Sequence, residues 1–475
     1  MTQMVVVQPE NWRAAAGTGQ EPSGGVDPGY RLWTALARGD ALTRASALVM
    51  GLGNIARRQY TKGVIFLASE VAFVVLLVVN GIPSLAGLGR LGPVTKGGQQ
   101  WDANGKFVNV NPTNSVQVLL YGVAWVFLAV AFVLVWAAAV KSAYRAQVLV
   151  REKGGAPSIA SDVRDLVDRR LHASLLTLPM LGIVVFTILP LVFMISMAFT
   201  SFDATHTPAF NWVGLHNFSV VFSRTGSTSI GVSLGLFMRV LAWTLVWAVL
   251  ATFLNFFLGM FMAMVILRRT TRLKNMWRAF FSMSMAVPQF VSLLVINQML
   301  QDQGIVNQML KGWGLIDTSL PFFTNAWWAR GTVVVVNLWI GIPFTIMQIT
   351  GILQNVPGEL YEAAKIDGAS WWQMYVKITL PYIFFVLTPY LIVTFTNNIN
   401  NFNVIYLLSN GAPTPVGDSA GQTDLLITWL YKLTVDRGNY NVGAVIGIFT
   451  FVVLGVLALI TYRNSGSYKN EEAFR

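Results

Sequence analysis

The run FMRVLAWTLVWAVLATFLNFFLGMFMAMVIL, residues 237–267, decides the class of fold. About 20 apolar residues of helix cross a bilayer core, and this run is longer than that while carrying one charged residue, Arg239. Seven further runs of the same character lie on either side of it, at residues 63–82, 118–140, 175–199, 279–300, 331–353, 382–402 and 442–462. Across the 475 residues, 54% are hydrophobic and 11% charged, whereas soluble domains carry about a quarter charged residues. The expected fold is therefore an all-α integral membrane protein with about eight transmembrane helices.

The formal charge of +12 raises the question of nucleic acid, and the placement of the basic residues answers it. With the amino terminus set inside, 24 of the 33 Lys and Arg fall in inner segments. That is the bias that the membrane potential and anionic lipid impose on translocated loops. A multi-pass chain of the cell membrane is expected, with both termini cytoplasmic, membrane lipid around it and no nucleic-acid partner. Cysteine is absent and only His172, His206 and His216 are present, which argues against metal chemistry; no cofactor is expected.

The runs divide the chain into a cytoplasmic tail and interfacial segment at 1–62, a transmembrane pair at 63–140, and a cytoplasmic loop at 141–174. A core follows at 175–462, then a tail at 463–475. The tail is Gly- and Pro-rich around Pro22, Ser23, Gly24 and Gly25, with an interfacial stretch near 41–56. The outer loop 83–117 contains Asn104-Gly105 between strand-forming residues, a hairpin signal that predicts a small extracytoplasmic lobe.

One inner loop differs from the rest. Residues 355–381 read NVPGELYEAAKIDGASWWQMYVKITLP, an amphipathic composition rather than a merely polar one. Pro357 suits a first helical turn, and Glu359 and Glu362 sit favourably near the positive end of a helix dipole. Gly368 can take positive φ and end that helix near Ile366, and Ser370 can cap a second through Trp371, Trp372 and Met374. Two short helices with a sharp turn are predicted, with Ala363 and Ala364 letting another surface approach closely.

Glu362, Ala363 and Ala364, with Gly368 four residues on and then Ile378, Leu380 and Pro381, resemble the EAA loop of binding-protein-dependent ABC importer permeases. The resemblance implies a type I permease fold whose coupling helix docks on a dimer of ATP-binding cassette subunits. Glu362 would make that contact, Gly368 the turn, and Asp367 a secondary contact. The amino-terminal extra pair of spans, Trp212-Val213-Gly214-Leu215-His216-Asn217-Phe218, and Asn401-Phe402 followed by Ile405-Tyr406-Leu407-Leu408 look like the larger permease of maltose-type importers. This implies a second homologous permease, an extracytoplasmic sugar-binding protein and a sugar substrate, an oligosaccharide such as a maltose- or trehalose-like disaccharide. Larger permeases of the family can carry a sizeable domain between spans three and four; here only residues 200–236 fill that place.

A sugar calls for uncharged polar groups and flat aromatic faces inside the bundle. Asn397, Asn398, Asn400, Asn401 and Asn403 cluster at the end of span seven, and amides in lipid need a partner or a water-filled cavity. Helical spacing places Asn397, Asn398 and Asn401 on one broad stripe. Resemblance to sugar-contacting positions of maltose-type permeases selects Asn398 and Asn401, and adds Gln289 beside Pro288 and Gly341 and Phe344 around Pro343. Packing of helices is the competing role for each. An ion-coupled secondary transporter is the rival function, and Glu70, the acidic residue well inside a span, is where it would look for a coupling group. A membrane-embedded transferase would need an acid, base or metal site that the scattered acids do not supply, and a GxxxxGK[ST] pattern is absent, so ATP hydrolysis is expected on another chain.

Overall fold

A computed structural model describes residues 30–91, 98–101, 105–110, 114–164, 167–168, 171–223, 230–268 and 271–464. The expected tails at 1–29, with its Gly- and Pro-rich linker, and at 465–475 lie outside these residues. The chain divides into two units, one comprising Met1–Gly92 and Val116–Leu191 and the other Pro93–Ser115 and Val192–Arg475.

In the first unit the interfacial segment is a folded elbow of three short helices, Leu32–Arg38 (α1), Ala41–Ala45 (α2) and Leu52–Ala56 (α3). It leans on the helices Tyr60–Leu88 (α4) and Ser115–Lys153 (α5). Asp40 caps α2 by accepting from the Thr43 amide at 2.8 Å and pairs with Arg57 at 2.7 Å. The Gln147 side chain of α5 accepts from the Asp40 amide and the Thr43 hydroxyl. Burial pushes the Asp40 carboxyl up, but the Arg57 guanidinium and the Thr43 donors outweigh it and hold the carboxyl below its ordinary value. Glu70 on α4 accepts from the Met50 amide at 2.7 Å, so it fastens the elbow to the first span. Helix α5 runs on to Lys153, so its last turns occupy the start of the expected 141–174 loop.

The second unit contains the antiparallel pair Gly98–Trp101 (β1) and Phe107–Val110 (β2), with Trp101 opposite Phe107. The outer-loop hairpin is therefore present, with Gly105 at φ 70°; Asp102, Ala103 and Asn104 lie outside the described residues. Helix Ser174–Met197 (α6) enters this unit at its end, and Leu234–Leu267 (α7) is its central element. Next come Lys274–Ala286 (α8), Gln289–Met299 (α9), Ala326–Gln354 (α10) and Gly358–Ile366 (α11). The last elements are Trp371–Met374 (α12), Leu380–Ile399 (α13), Phe402–Leu408 (α14), Leu426–Tyr431 (α15) and Tyr440–Asn464 (α16).

Among the described residues seven helices are long and apolar enough to cross a membrane: α4, α5, α6, α7, α10, the composite Trp371–Leu408 and the last, Tyr440–Ile460. The expected continuous span at 279–300 is instead α8 and α9, broken where Val287 and Pro288 are both extended, at ψ 126° and 127°. Proline has no amide to donate, and it drives the residue before it out of the helical region. Gln289 consequently begins a helix rather than sitting mid-span.

Helix α7 packs along α10 and α13. Phe256, Met260, Ala263 and Ile266 meet Ile346 and Ile349 of α10 and Ile383 and Leu387 of α13. Nearer its start Trp243, Trp247 and Ala251 meet Val333 and Val336 of α10, Leu293 of α9 and Val404, Ile405 and Leu408 of α14. Between helices in lipid the hydrophobic effect gives little, and small residues that allow close approach matter more. A Cβ on Gly259 would lie 2.6 Å from the Thr345 side chain, and one on Gly341 2.6 Å from that of Asn255.

Candidate functional site

The predicted docking loop is α11 and the turn that follows it. Pro357, extended at ψ 125°, stands one position before the helix instead of in its first turn. The helix stops because Gly368 adopts φ 75°. The Ala369 amide then donates to Ala364 at 2.9 Å and the Gly368 amide to Lys365 at 3.1 Å, the paired bonds of a Schellman ending. Ser370 restarts the helix with reciprocal caps, its hydroxyl accepting from the Gln373 amide and its amide donating to the Gln373 side chain at 2.7 Å.

The second helix differs from the expectation of two short ones. It runs from Trp371 through a π turn at Tyr375–Thr379 directly into α13, because nothing between Met374 and Leu380 interrupts the helical backbone. Helix α11 is therefore joined to the Trp371–Leu408 span through a two-residue hinge, Gly368 and Ala369, and the cap. The Tyr361 hydroxyl also bonds Thr379 at 2.9 Å, tying α11 to the base of that span. Glu362, Ala363, Asp367 and Gly368 are exposed and Ala364 is half-buried. Ile366 is 86% exposed, and Trp371 and Trp372 are about 60% exposed. A raft of apolar side chains thus flanks the carboxylates of Glu362 and Asp367.

The candidate substrate residues gather in part on one side of α7. Asn398 donates to Thr252 Oγ1 at 3.0 Å, and its carbonyl accepts from Trp247 Nε1 at 3.1 Å. Gly341 faces Asn255, one helical turn from Thr252. Asn401 donates to Asn398 Oδ1 at 3.4 Å. These two do not share a helical face as their spacing suggested. The helix ends at Ile399, and Asn401 is the cap of α14, accepting from the Val404 amide at 3.3 Å. Consecutive amides favoured a turn over continued helix, since Asn competes for backbone hydrogen bonds. Phe344 is 52% exposed, away from its buried neighbours Pro343 and Thr345, and neither it nor Gln289 bonds to this seam among the described residues.

Asn255 of the seam and Asn337, one helical turn before Gly341 on α10, were not singled out in the sequence. Each is more than nine-tenths buried, and Asn255 Oδ1 and Asn337 Nδ2 have no hydrogen-bond partner among the described residues. An unmet buried polar group costs about 1–3 kcal/mol. Asn255 was visible as the one amide in the 237–267 run.

A polytopic bundle with a polar seam against its central helix and an exposed helix hinged to one span is the build of a membrane permease. Residues 255–466 match the model of the family described as "binding-protein-dependent transport system inner membrane component". The chain is 31% identical over 430 residues to the galactooligosaccharides transport system permease protein GanP of Bacillus subtilis, covering 90% of this chain and 97% of that one. It is 32% identical over 446 residues to the maltodextrin transport system permease protein MdxF of the same organism, covering 90% and 96%. In fold it resembles a chain of a bacterial ABC transporter involved in the import of the acidic polysaccharide alginate, at TM-score 0.52 and 24% identity over 64% of this chain and 97% of that one. The chain belongs to the binding-protein-dependent transport permeases, as a maltose-type ABC importer permease.

Proposed function

We propose that this chain is the larger of two permease subunits in an ATP-driven importer that takes an oligosaccharide, such as a maltose- or trehalose-like disaccharide, from an extracytoplasmic binding protein. The observation that carries the reading is the exposed α11, joined by the Gly368 hinge to a helix that ends at the polar seam. In this reading Glu362 and Asp367 contact the ATPase subunit, and Ala363 and Ala364 let its cleft close around α11. Motion of α11 reaches Asn398 through one helical rod, residues 371–399, roughly 40 Å long at about 1.5 Å per residue. Rocking of such rods against those of a second permease opens the seam to each side in turn.

Asn398 and Asn401 then exchange their mutual bond for sugar hydroxyls, Gly341 leaves room beside Asn255, and Phe344 and Gln289 contribute when the pathway forms. The unmet Asn255 and Asn337 atoms support a polar ligand at this depth. The relatives named for galactooligosaccharides and maltodextrin support an oligosaccharide. The Lys and Arg bias supports cytoplasmic termini and an inner position for α11. The rival of ion coupling loses its main support, since Glu70 is engaged by the Met50 amide.

The test is uptake of labelled maltotriose into proteoliposomes holding this chain, its partner permease and its ATPase, with binding protein supplied at the face opposite α11. Accumulation that requires ATP supports the reading. Accumulation that ignores ATP and follows a proton or sodium gradient overturns it.

A further inference from the structure

The first turns of α10 and the end of α9 enclose a cavity of about 680 Å³ in the second unit. Ile296 and Leu300 face it from α9, and Gly331, Thr332, Val335 and Val336 from α10. Phe322, Trp327 and Trp328 complete the lining, with the rings of Phe322 and Trp328 edge to face at 5.8 Å. No charged side chain lines the cavity, and Thr332 supplies its one hydroxyl. A sugar entering it would give up many bonds to water for almost none, so the occupant it suits is apolar.

Depth in the membrane narrows the occupant further. Helix α10 has 29 residues and at about 1.5 Å each is roughly 43 Å long, the thickness of a bilayer with its headgroup regions. Ala326 at its start therefore stands at the interface remote from α11, and Trp327 and Trp328 lie at the level where amphipathic rings collect. From Trp327 to Val336 the helix rises about 14 Å, close to half of the roughly 30 Å hydrocarbon core. The cavity thus covers the depth of one leaflet. Trp327 is 78% and Val335 64% exposed, so it is open along its length to whatever surrounds the bundle.

Gly331 gives the cavity its room. A glycine inside a helix costs about 1 kcal/mol relative to alanine. At Gly259 and Gly341 close packing requires that cost, but a Cβ on Gly331 would meet nothing within 4 Å. What its missing side chain leaves is space in the cavity wall. We infer that the cavity binds one acyl chain of a phospholipid from the leaflet remote from α11, lying along Gly331 with its glycerol end level with Trp327. A seated chain restores the dispersion contacts that the cavity lining otherwise lacks.

Only the membrane fold is needed for this, so the sugar pathway can fail while the lipid site stands. The chain, with the partners it keeps, is placed in nanodiscs of phosphatidylethanolamine and phosphatidylglycerol carrying a diazirine in one acyl chain. It is then moved into lipid-free detergent and irradiated, and adducts are mapped by peptide mass spectrometry for wild type, Gly331→Ala and Gly331→Leu. The expected result is wild-type adducts at 296–300 and 327–336 that survive the detergent, while those on α6, whose apolar stretch is unburied within the chain, disappear. The leucine side chain should lower the cavity adducts at least fivefold and the alanine methyl less. Cavity adducts lost together with those on α6 would mean ordinary surrounding lipid and overturn the site. Adducts that Gly331→Leu leaves unchanged overturn it too, as does their absence in the assembled wild type when the chain stripped of partners shows them, which would mean that another subunit covers the cavity. If the leucine variant does not fold, the wild-type exchange and Gly331→Ala decide.

Discussion

Replacing Gly368 tests the hinge between α11 and the Trp371–Leu408 span. A Cβ built on Gly368 meets nothing within 4 Å, so a substitution there acts through backbone conformation alone. The residue holds φ 75°, where an ordinary L-residue pays about 1–2 kcal/mol and a β-branched one more, up to about 3 kcal/mol. Asn tolerates this region best among non-glycine residues. Losing 1–2 kcal/mol shifts the population of the turn about 5–30-fold, and about 3 kcal/mol shifts it more than 100-fold. With the turn go the Ala369 to Ala364 and Gly368 to Lys365 bonds, and α11 no longer moves with the rod behind it. Sugar transported per ATP hydrolysed, measured in proteoliposomes, should fall in the order Gly, Asn, Ala, Val, with Val nearly uncoupled. A Val variant with the wild-type ratio would show that no rigid hinge at positive φ is needed.

Four other outcomes follow from particular contacts. Asn401→Leu removes the cap of α14 and the bond to Asn398, and should cost about 1 kcal/mol of stability, read as a lower melting temperature, and weaken sugar-stimulated transport; Asn401→Ser restores the cap, so stability recovering without transport separates the two roles. Gly341→Ala forces the Asn255 side chain aside and should cost about 1–3 kcal/mol in a detergent unfolding assay, more than the same change at Gly351, where a Cβ meets nothing. Asp424→Ala takes the carboxylate from the largely buried Lys432 ammonium, which keeps only the Asn410 carbonyl, and should cost about 3 kcal/mol, read as an early melt of the complex. The Asp40 carboxyl is held below its ordinary value, so its stabilising effect is present above the unfolded value near 3.9 and is lost as pH falls through the folded one. The melting-temperature gap between wild type and Asp40→Asn should therefore be open at pH 7 and close below about pH 4.

What could be read from the sequence was what is locally encoded. Long apolar runs announce spans, and the 355–381 loop is written in residues whose meaning does not depend on distant partners: Gly368 for positive φ, Ser370 for the N-cap. The misreadings came where apolarity continued through a local break. Residues 279–300 stay hydrophobic across Pro288, so composition suggested one span where the backbone makes two helices. Asn398 and Asn401 suggested one stripe because spacing was counted through a helix end. The elbow at 32–56 looked merely interfacial, since its order comes from Gln147 on α5 and Glu70 on α4, far away in the chain. For the same reason the seam around Asn255 and Asn337 became visible only when α7 and α10 were brought together.

The central claim, that this chain passes the work of a separate ATPase to a sugar pathway through α11, is tested most directly by co-purification. The detergent-solubilised chain is isolated from its native membrane as wild type and as Glu362→Arg, and the proteins recovered with it are identified. The account predicts an ATP-binding subunit and a second permease with wild type, and loss of the ATP-binding subunit with the variant while the second permease remains. Recovery of the chain alone or only with itself, in a detergent that keeps known complexes intact, would contradict it.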